Sequence, residues 1–150
     1  YSAQMKKELL LSYQSELIEL VNLLLDGPRK GDALLIVLKG DLGAGKTTFV
    51  QTLGKALGVA EHVTSPTFTI MKQYLLSHEQ FDVLVHIDLY RIDDEAELVP
   101  LGFKEVLERP RTVVCVEWPQ RVSADYFTEA IQVEFLIEEG ERRRIVVKFP

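Results

Sequence analysis

The chain has a single cysteine, no long apolar run and no excess of positive charge, and each absence closes a class of function. Cys115, within Thr112-Val113-Val114-Cys115-Val116, cannot form an intrachain disulfide. Its apolar neighbours mark it as a small core residue, and no oxidising compartment is required. No stretch approaches the roughly 20 apolar residues of a membrane span, and no signal-peptide pattern is seen, so the expected compartment is the cytoplasm, without a membrane role. The formal net charge of −6 argues against a free-standing nucleic-acid binder, which needs a basic surface, but leaves room for work beside RNA through a partner. Also missing are metal-type Cys/His spacing, an Asn-Lys-x-Asp or Thr-Lys-x-Asp guanine-reading motif, a second glycine-rich motif, an arginine-rich lid, internal repeats and a linker. At 150 residues and 47% hydrophobic, the sequence reads as one domain over 1–150.

What is present centres on Gly40-Asp41-Leu42-Gly43-Ala44-Gly45-Lys46-Thr47, which matches the phosphate-loop pattern G-x-x-x-x-G-K-[ST] at every fixed position. The apolar run Leu34 to Leu38 precedes it as a buried strand, and Thr48 to Leu53 follows as the start of a helix. That strand–loop–helix context turns a pattern into a credible site. Glycines let the backbone wrap a phosphate, and the helix N-terminus adds aligned N–H donors. Lys46 then reaches the β- and γ-phosphates, and the Thr47 hydroxyl serves Mg²⁺.

The other elements frame this loop. Tyr13 to about Asp26 has a helical stripe at Leu17, Leu20 or Val21, and Leu24, stopped by Gly27-Pro28. Phe49, Leu53 and Leu57 repeat at helical spacing, and Gly58 ends that helix. Phe68 to Leu76 and Val83 to Tyr90 read as strands around a turn at Ser77 to Asp82. Asp93-Asp94 caps a short helix, and the helical stretch Leu98 to Glu108 breaks near Pro100 and Gly102. Thr112 to Val116 is another apolar strand, and Ala130 to Ile137 with Arg144 to Phe149 form a terminal hairpin. The expected fold is α/β: a P-loop NTPase-like mixed sheet with a parallel core, flanking helices and a C-terminal antiparallel hairpin.

A phosphate loop alone does not choose a reaction; the acids near it do. Asp88 and Glu117 each end an apolar strand, the Walker-B arrangement in which a carboxylate holds Mg²⁺ directly or through water. Each acid taken alone reads equally as a solvated strand end. Thr64-Ser65-Pro66-Thr67 is a candidate sensor loop or an ordinary strand entry. Arg91 reads first as an ion-pair partner with a phosphate contact as the alternative, and Trp118 as core or interface with a wall of the site as the alternative. His86 reads as a packed, hydrogen-bonded histidine; Arg142-Arg143-Arg144 has the look of an anion patch but, beside four nearby glutamates, reads first as a solvated hairpin.

In this order, Gly40 to Thr48, Thr64-Ser65-Pro66-Thr67-Phe68, His86-Ile87-Asp88-Leu89-Tyr90-Arg91 and Val116-Glu117-Trp118-Pro119 resemble the bacterial TsaE family, also called YjeE. The likeness runs from roughly Gly31 through Arg121. It implies a small P-loop fold binding ATP with Mg²⁺, acting with the two other protein components of the bacterial threonylcarbamoyl-transfer complex and meeting tRNA only through them. It also implies nucleotide contacts from Asp41, Leu42, Gly43, Ala44, Gly45, Lys46, Thr47 and Thr48, with Thr67 in a switch-like loop and Trp118 near the nucleotide. Lys46, Asp88 and Glu117 are the expected catalytic residues, and Thr47, Asp88 and Glu117 the expected metal ligands. The expected activity is slow, partner-stimulated ATP hydrolysis. A small-molecule kinase and a nucleotide-gated binding module are the alternatives.

Overall fold

The computed structural model describes residues 5–29, 31–66 and 69–150. Among them, β1 (Lys6–Leu11), β2 (Leu34–Lys39), β3 (Met71–Leu75), β4 (Val83–Asp88), β5 (Thr112–Glu117), β6 (Ile131–Ile137) and β7 (Arg143–Lys148) form one sheet, in the order β1-β7-β6-β2-β5-β4-β3. The central strands β6, β2, β5 and β4 run parallel. β3 adds antiparallel at one edge, and β7 then β1 add antiparallel at the other. The expected α/β mixed sheet with a parallel core and C-terminal hairpin is therefore the observed one.

β2 explains the layering. Strand side chains alternate between faces, so its unbroken apolar run feeds two cores at once. Leu34, Ile36 and Leu38 pack with Leu20 and Leu24 of α1 (Leu17–Asp26) and with Phe49 and Leu53 of α2 (Lys46–Ala56). Leu35 and Val37 face the opposite way, onto Val85, Ile87, Val114, Val116 and the Phe103 and Val106 side chains of α3 (Phe103–Leu107). Both faces of the central strands are thus covered, and β5 is buried along its whole length.

Local signals act as expected at several boundaries. The α1 stripe Leu17, Leu20, Val21 and Leu24 is buried throughout. Asp94 caps a 3₁₀ segment, Glu95–Leu101, by accepting from Ala96 N at 2.9 Å, and Gly102 at φ 67° separates it from α3. The terminal strands alternate: Ile131, Val133 and Phe135 are buried while Glu134 is exposed. Several boundaries differ. The helix expected from Tyr13 starts at Leu17 after a 3₁₀ turn over Gln14–Glu16. The strand expected over Phe68 to Leu76 runs Met71–Leu75, with Phe68 outside the described residues, and the strand expected to reach Tyr90 ends at Asp88. The helix after the phosphate loop begins at Lys46 rather than Thr48, and β1 is a strand the sequence did not announce. Lys6-Lys7-Glu8 followed by three leucines has no period of two, and only Leu11 is buried. Pairing with β7, not intrinsic pattern, extends that segment. Among the described residues, no helix is long and apolar enough to cross a membrane.

Candidate functional site

The loop leaving β2 is built by close backbone approach. Gly40 has φ 147°, and a Cβ there would lie 2.7 Å from the Phe135 carbonyl oxygen, so only glycine fits. Ala44 N donates to Asp41 O at 3.1 Å to close the turn, and Gly45, at φ 112°, precedes the first helical residue. The first N–H groups of α2 lack intrahelical partners and supply the donors and partial positive charge that an anionic ligand needs.

Lys46 opens the helix and is 5% exposed. Its Nζ donates to Gly40 O at 2.6 Å and lies 4.0 Å from the centre of the Trp118 ring. Burial pushes the lysine pKa down, against the opposing pull of Glu117, Asp88 and Asp41. A buried cation poised among acids suits the binding of a polyanion, which would relieve the desolvation that the acids only partly offset.

The two strand-end acids are brought together by register. β4 and β5 pair in parallel with Asp88 opposite Glu117, both at the carboxyl ends of their strands. Both are buried. Asp88 Oδ1 accepts from Tyr90 N at 2.9 Å. Glu117 Oε2 accepts from Thr47 Oγ1 at 3.3 Å, tying the second acid to the phosphate-loop helix. Trp118 adopts the left-handed conformation, φ 58°, packs on Tyr90 with 4.9 Å between ring centroids, and covers Lys46. Its alternative reading as a wall of the site is the placement observed.

These groups line one cavity of about 550 Å³, with residues 42–48, Ser65, Asp88, Arg91, Glu117 and Trp118 contributing. Asp41 lies outside that lining; its exposed side chain acts on Lys46 through charge. Thr67 lies outside the described residues. Among the described residues, no group of three or more His, Cys, Asp or Glu side chains forms a metal cage. A hydroxyl and two carboxylates nevertheless fit Mg²⁺, a hard cation that takes oxygen ligands and completes its shell with water and phosphate.

Residues the sequence reading passed over also reach this cavity. Arg143 does not belong to a solvated charge run. Its Nε donates to Ala44 O at 3.2 Å and its Nη2 to Gly43 O at 3.4 Å, so the hairpin grips the outer side of the phosphate loop. Arg142 and Arg144, both exposed, fit the hairpin reading, Arg144 donating from Nε to Glu138 at 2.7 Å. Strand alternation separates Arg143 from them: it shares its face with buried Ile145 and Val147. At the far end, Tyr13 and Gln14 join the lining from the turn before α1. No local motif marks them, because the sheet edge brings them there.

Comparison with known proteins supplies a family and a fold. The family model described as "Threonylcarbamoyl adenosine biosynthesis protein TsaE" matches residues 11–145. The chain is similar to proteins named tRNA threonylcarbamoyladenosine biosynthesis protein TsaE. The one from Synechocystis sp. is 44% identical over 90 residues, covering 59% of this chain and 55% of that protein. Those from Nostoc sp. and Bacillus subtilis are 36% and 40% identical, covering 77% and 78% of this chain and 70% and 69% of theirs. The crystal structure of Bacillus subtilis YdiB superposes with a TM-score of 0.69 at 24% identity, covering 99% of this chain and 88% of that one, a likeness of fold.

Proposed function

Because the chain belongs to the TsaE family, we propose that it is a single-domain Mg²⁺-dependent P-loop ATPase serving the bacterial proteins that form threonylcarbamoyladenosine in tRNA. The observation that carries this reading is the convergence of Thr47 and Glu117, 3.3 Å apart, with Asp88 beside Glu117 and Lys46 on the same loop. A loop for phosphates and two adjacent acids for a cation and a water are the parts that nucleotide hydrolysis needs.

In this reading the loop N–H groups and Lys46 bind the β- and γ-phosphates. Thr47, Asp88 and Glu117 hold Mg²⁺, which when bound screens phosphate charge and orients the terminal phosphoryl group. Asp88 or Glu117 positions the attacking water, Trp118 shields Lys46 from solvent, and Thr67 contributes to the switch-like loop. Catalysis rests on positioning and electrostatics rather than on a covalent intermediate. Arg143 spends its guanidinium on loop and hairpin carbonyls. With no arginine assigned to the γ-phosphate, slow turnover alone and stimulation by the two partner proteins are expected. The tRNA is met through those partners, in keeping with the acidic balance of the chain.

The test is phosphate release from ATP by the purified chain, alone and with both partner proteins. Stimulation that is lost in Lys46→Ala supports the reading. Transfer of phosphate to an added small molecule would make it a kinase. ATP-dependent assembly without turnover would leave a nucleotide-gated module.

A further inference from the structure

His86 is fully buried on β4, and its Nε2 lies 2.5 Å from Glu117 Oε2. In the strand register His86 stands opposite Cys115, so the imidazole reaches two pairs along, on the same strand face, to meet the acid that faces Asp88. Its other nitrogen, Nδ1, is the one buried side-chain nitrogen or oxygen among the described residues that lacks a hydrogen-bond partner. A proton on Nδ1 would be a buried donor with nothing to accept it. The proton therefore belongs on Nε2, and the ring donates to Glu117. A leucine would fill a plain core position without leaving a polar atom unsatisfied, so a histidine here needs a reason beyond packing.

Glu117 Oε2 receives two donors, His86 Nε2–H from β4 and Thr47 Oγ1–H from α2. Resting on the ATPase reading, we infer that His86 is a positioning residue for Glu117. It holds the carboxylate so that Oε2 accepts the hydrogen bond of the Thr47 hydroxyl. Thr47 would then keep its oxygen lone pairs, and Glu117 its Oε1, for the Mg²⁺ that the two residues would hold. His86 touches neither nucleotide nor metal; it acts through the acid, as outer-shell partners of metal ligands do.

Two readouts besides turnover test this. In the ligand-free protein, nitrogen NMR of the imidazole should show the proton on Nε2 and a bare Nδ1; an Nδ1–H tautomer, or protons on both nitrogens, would overturn the assignment. Calorimetry with the slowly hydrolysed analogue ATPγS, titrated with and without Mg²⁺, reads the metal's contribution to binding. His86→Leu removes the donor and should cut that contribution about 10–100-fold, leaving metal-free binding at the parental value. His86→Gln can place an amide N–H near the Nε2 position and should recover most of it. His86→Asn, whose amide falls nearer Nδ1, should behave like His86→Leu and stands in for it if the leucine variant does not fold. Parental Mg²⁺ dependence in the donor-lacking variants, or equal loss in His86→Gln, would reduce His86 to a structural residue. If no protein releases phosphate, the ATPase reading fails, while the tautomer and calorimetric results still decide the role of His86.

Discussion

Replacing Lys46 with methionine should make the nucleotide-free protein more stable while abolishing its response to ATP. The lysine stem is buried and its ammonium is held by the Gly40 carbonyl at 2.6 Å and the Trp118 ring at 4.0 Å. A hydrogen bond from a charged donor contributes about 1.5–3 kcal/mol, and a cation–π contact about 0.5–2 kcal/mol. Taking an ammonium out of water costs several kcal/mol, and here burial outweighs the attraction of Glu117, Asp88 and Asp41, since the lysine pKa is lowered. Methionine keeps most of the apolar stem and removes the desolvation. The net gain should be about 0.5–2 kcal/mol, a rise in Tm of a few degrees for a chain of this size.

The sign with pH follows from the same direction. Below the lowered folded pKa, lysine is charged in both folded and unfolded states and the destabilisation is fully present. Between that pKa and the ordinary lysine value of 10.5, the unfolded chain binds more protons, so parental stability gains a contribution that rises with pH. The advantage of Lys46→Met should therefore shrink as pH rises through that window. Thermal melts with and without Mg²⁺-ATP check both halves. ATP at a hundred times its Kd would stabilise the parent by about 2.7 kcal/mol and the variant not at all. A lower Tm for the ligand-free variant, or a retained ATP shift, would refute the reasoning.

Other perturbations probe the remaining parts. Glu117→Gln should lower ATP hydrolysis by about 100-fold or more while leaving metal-free ATP affinity near the parental value, read by comparing kcat with calorimetric binding without Mg²⁺. Arg143→Ala frees the outer side of the phosphate loop and should weaken ATP binding about tenfold and lower stability by about 1–2 kcal/mol in urea unfolding. Arg143→Lys, lacking the guanidinium fork, should recover little of either. Gly40→Ala forces a Cβ to 2.7 Å from the Phe135 oxygen at φ 147° and should eliminate ATP binding and cost about 1–3 kcal/mol or more. Phe49→Ala, which empties a fully buried site on α2, should lower stability by about 3–5 kcal/mol by urea unfolding.

The legible features in the sequence were those with a local cause. The glycines and Lys46 of the phosphate loop, the stripe on α1, the Asp94 cap and the Gly102 break each follow from backbone chemistry acting over a few residues. Asp88 and Glu117 were visible as strand-end acids; their adjacency needed the register of β4 against β5. β1 and the cavity-lining Tyr13 and Gln14 were not legible, because the edge of β7 places them rather than their own pattern. Arg143 was obscured by its neighbours in a run of three arginines, although the alternation that buries Ile145 separates it from Arg144. His86 read correctly as a packed, hydrogen-bonded residue; its partner, an acid 31 positions away, is a fact of the sheet.

The most direct measurement is multiple-turnover formation of threonylcarbamoyladenosine on tRNA, with this chain added to the two proteins proposed as its partners and the modified nucleoside quantified by mass spectrometry. Product exceeding one equivalent per complex, dependent on Mg²⁺-ATP and lost with Lys46→Met and Glu117→Gln alike, is the expected result. Repeated turnover that persists with Glu117→Gln at the parental rate would contradict it, leaving nucleotide binding rather than hydrolysis as what the site supplies.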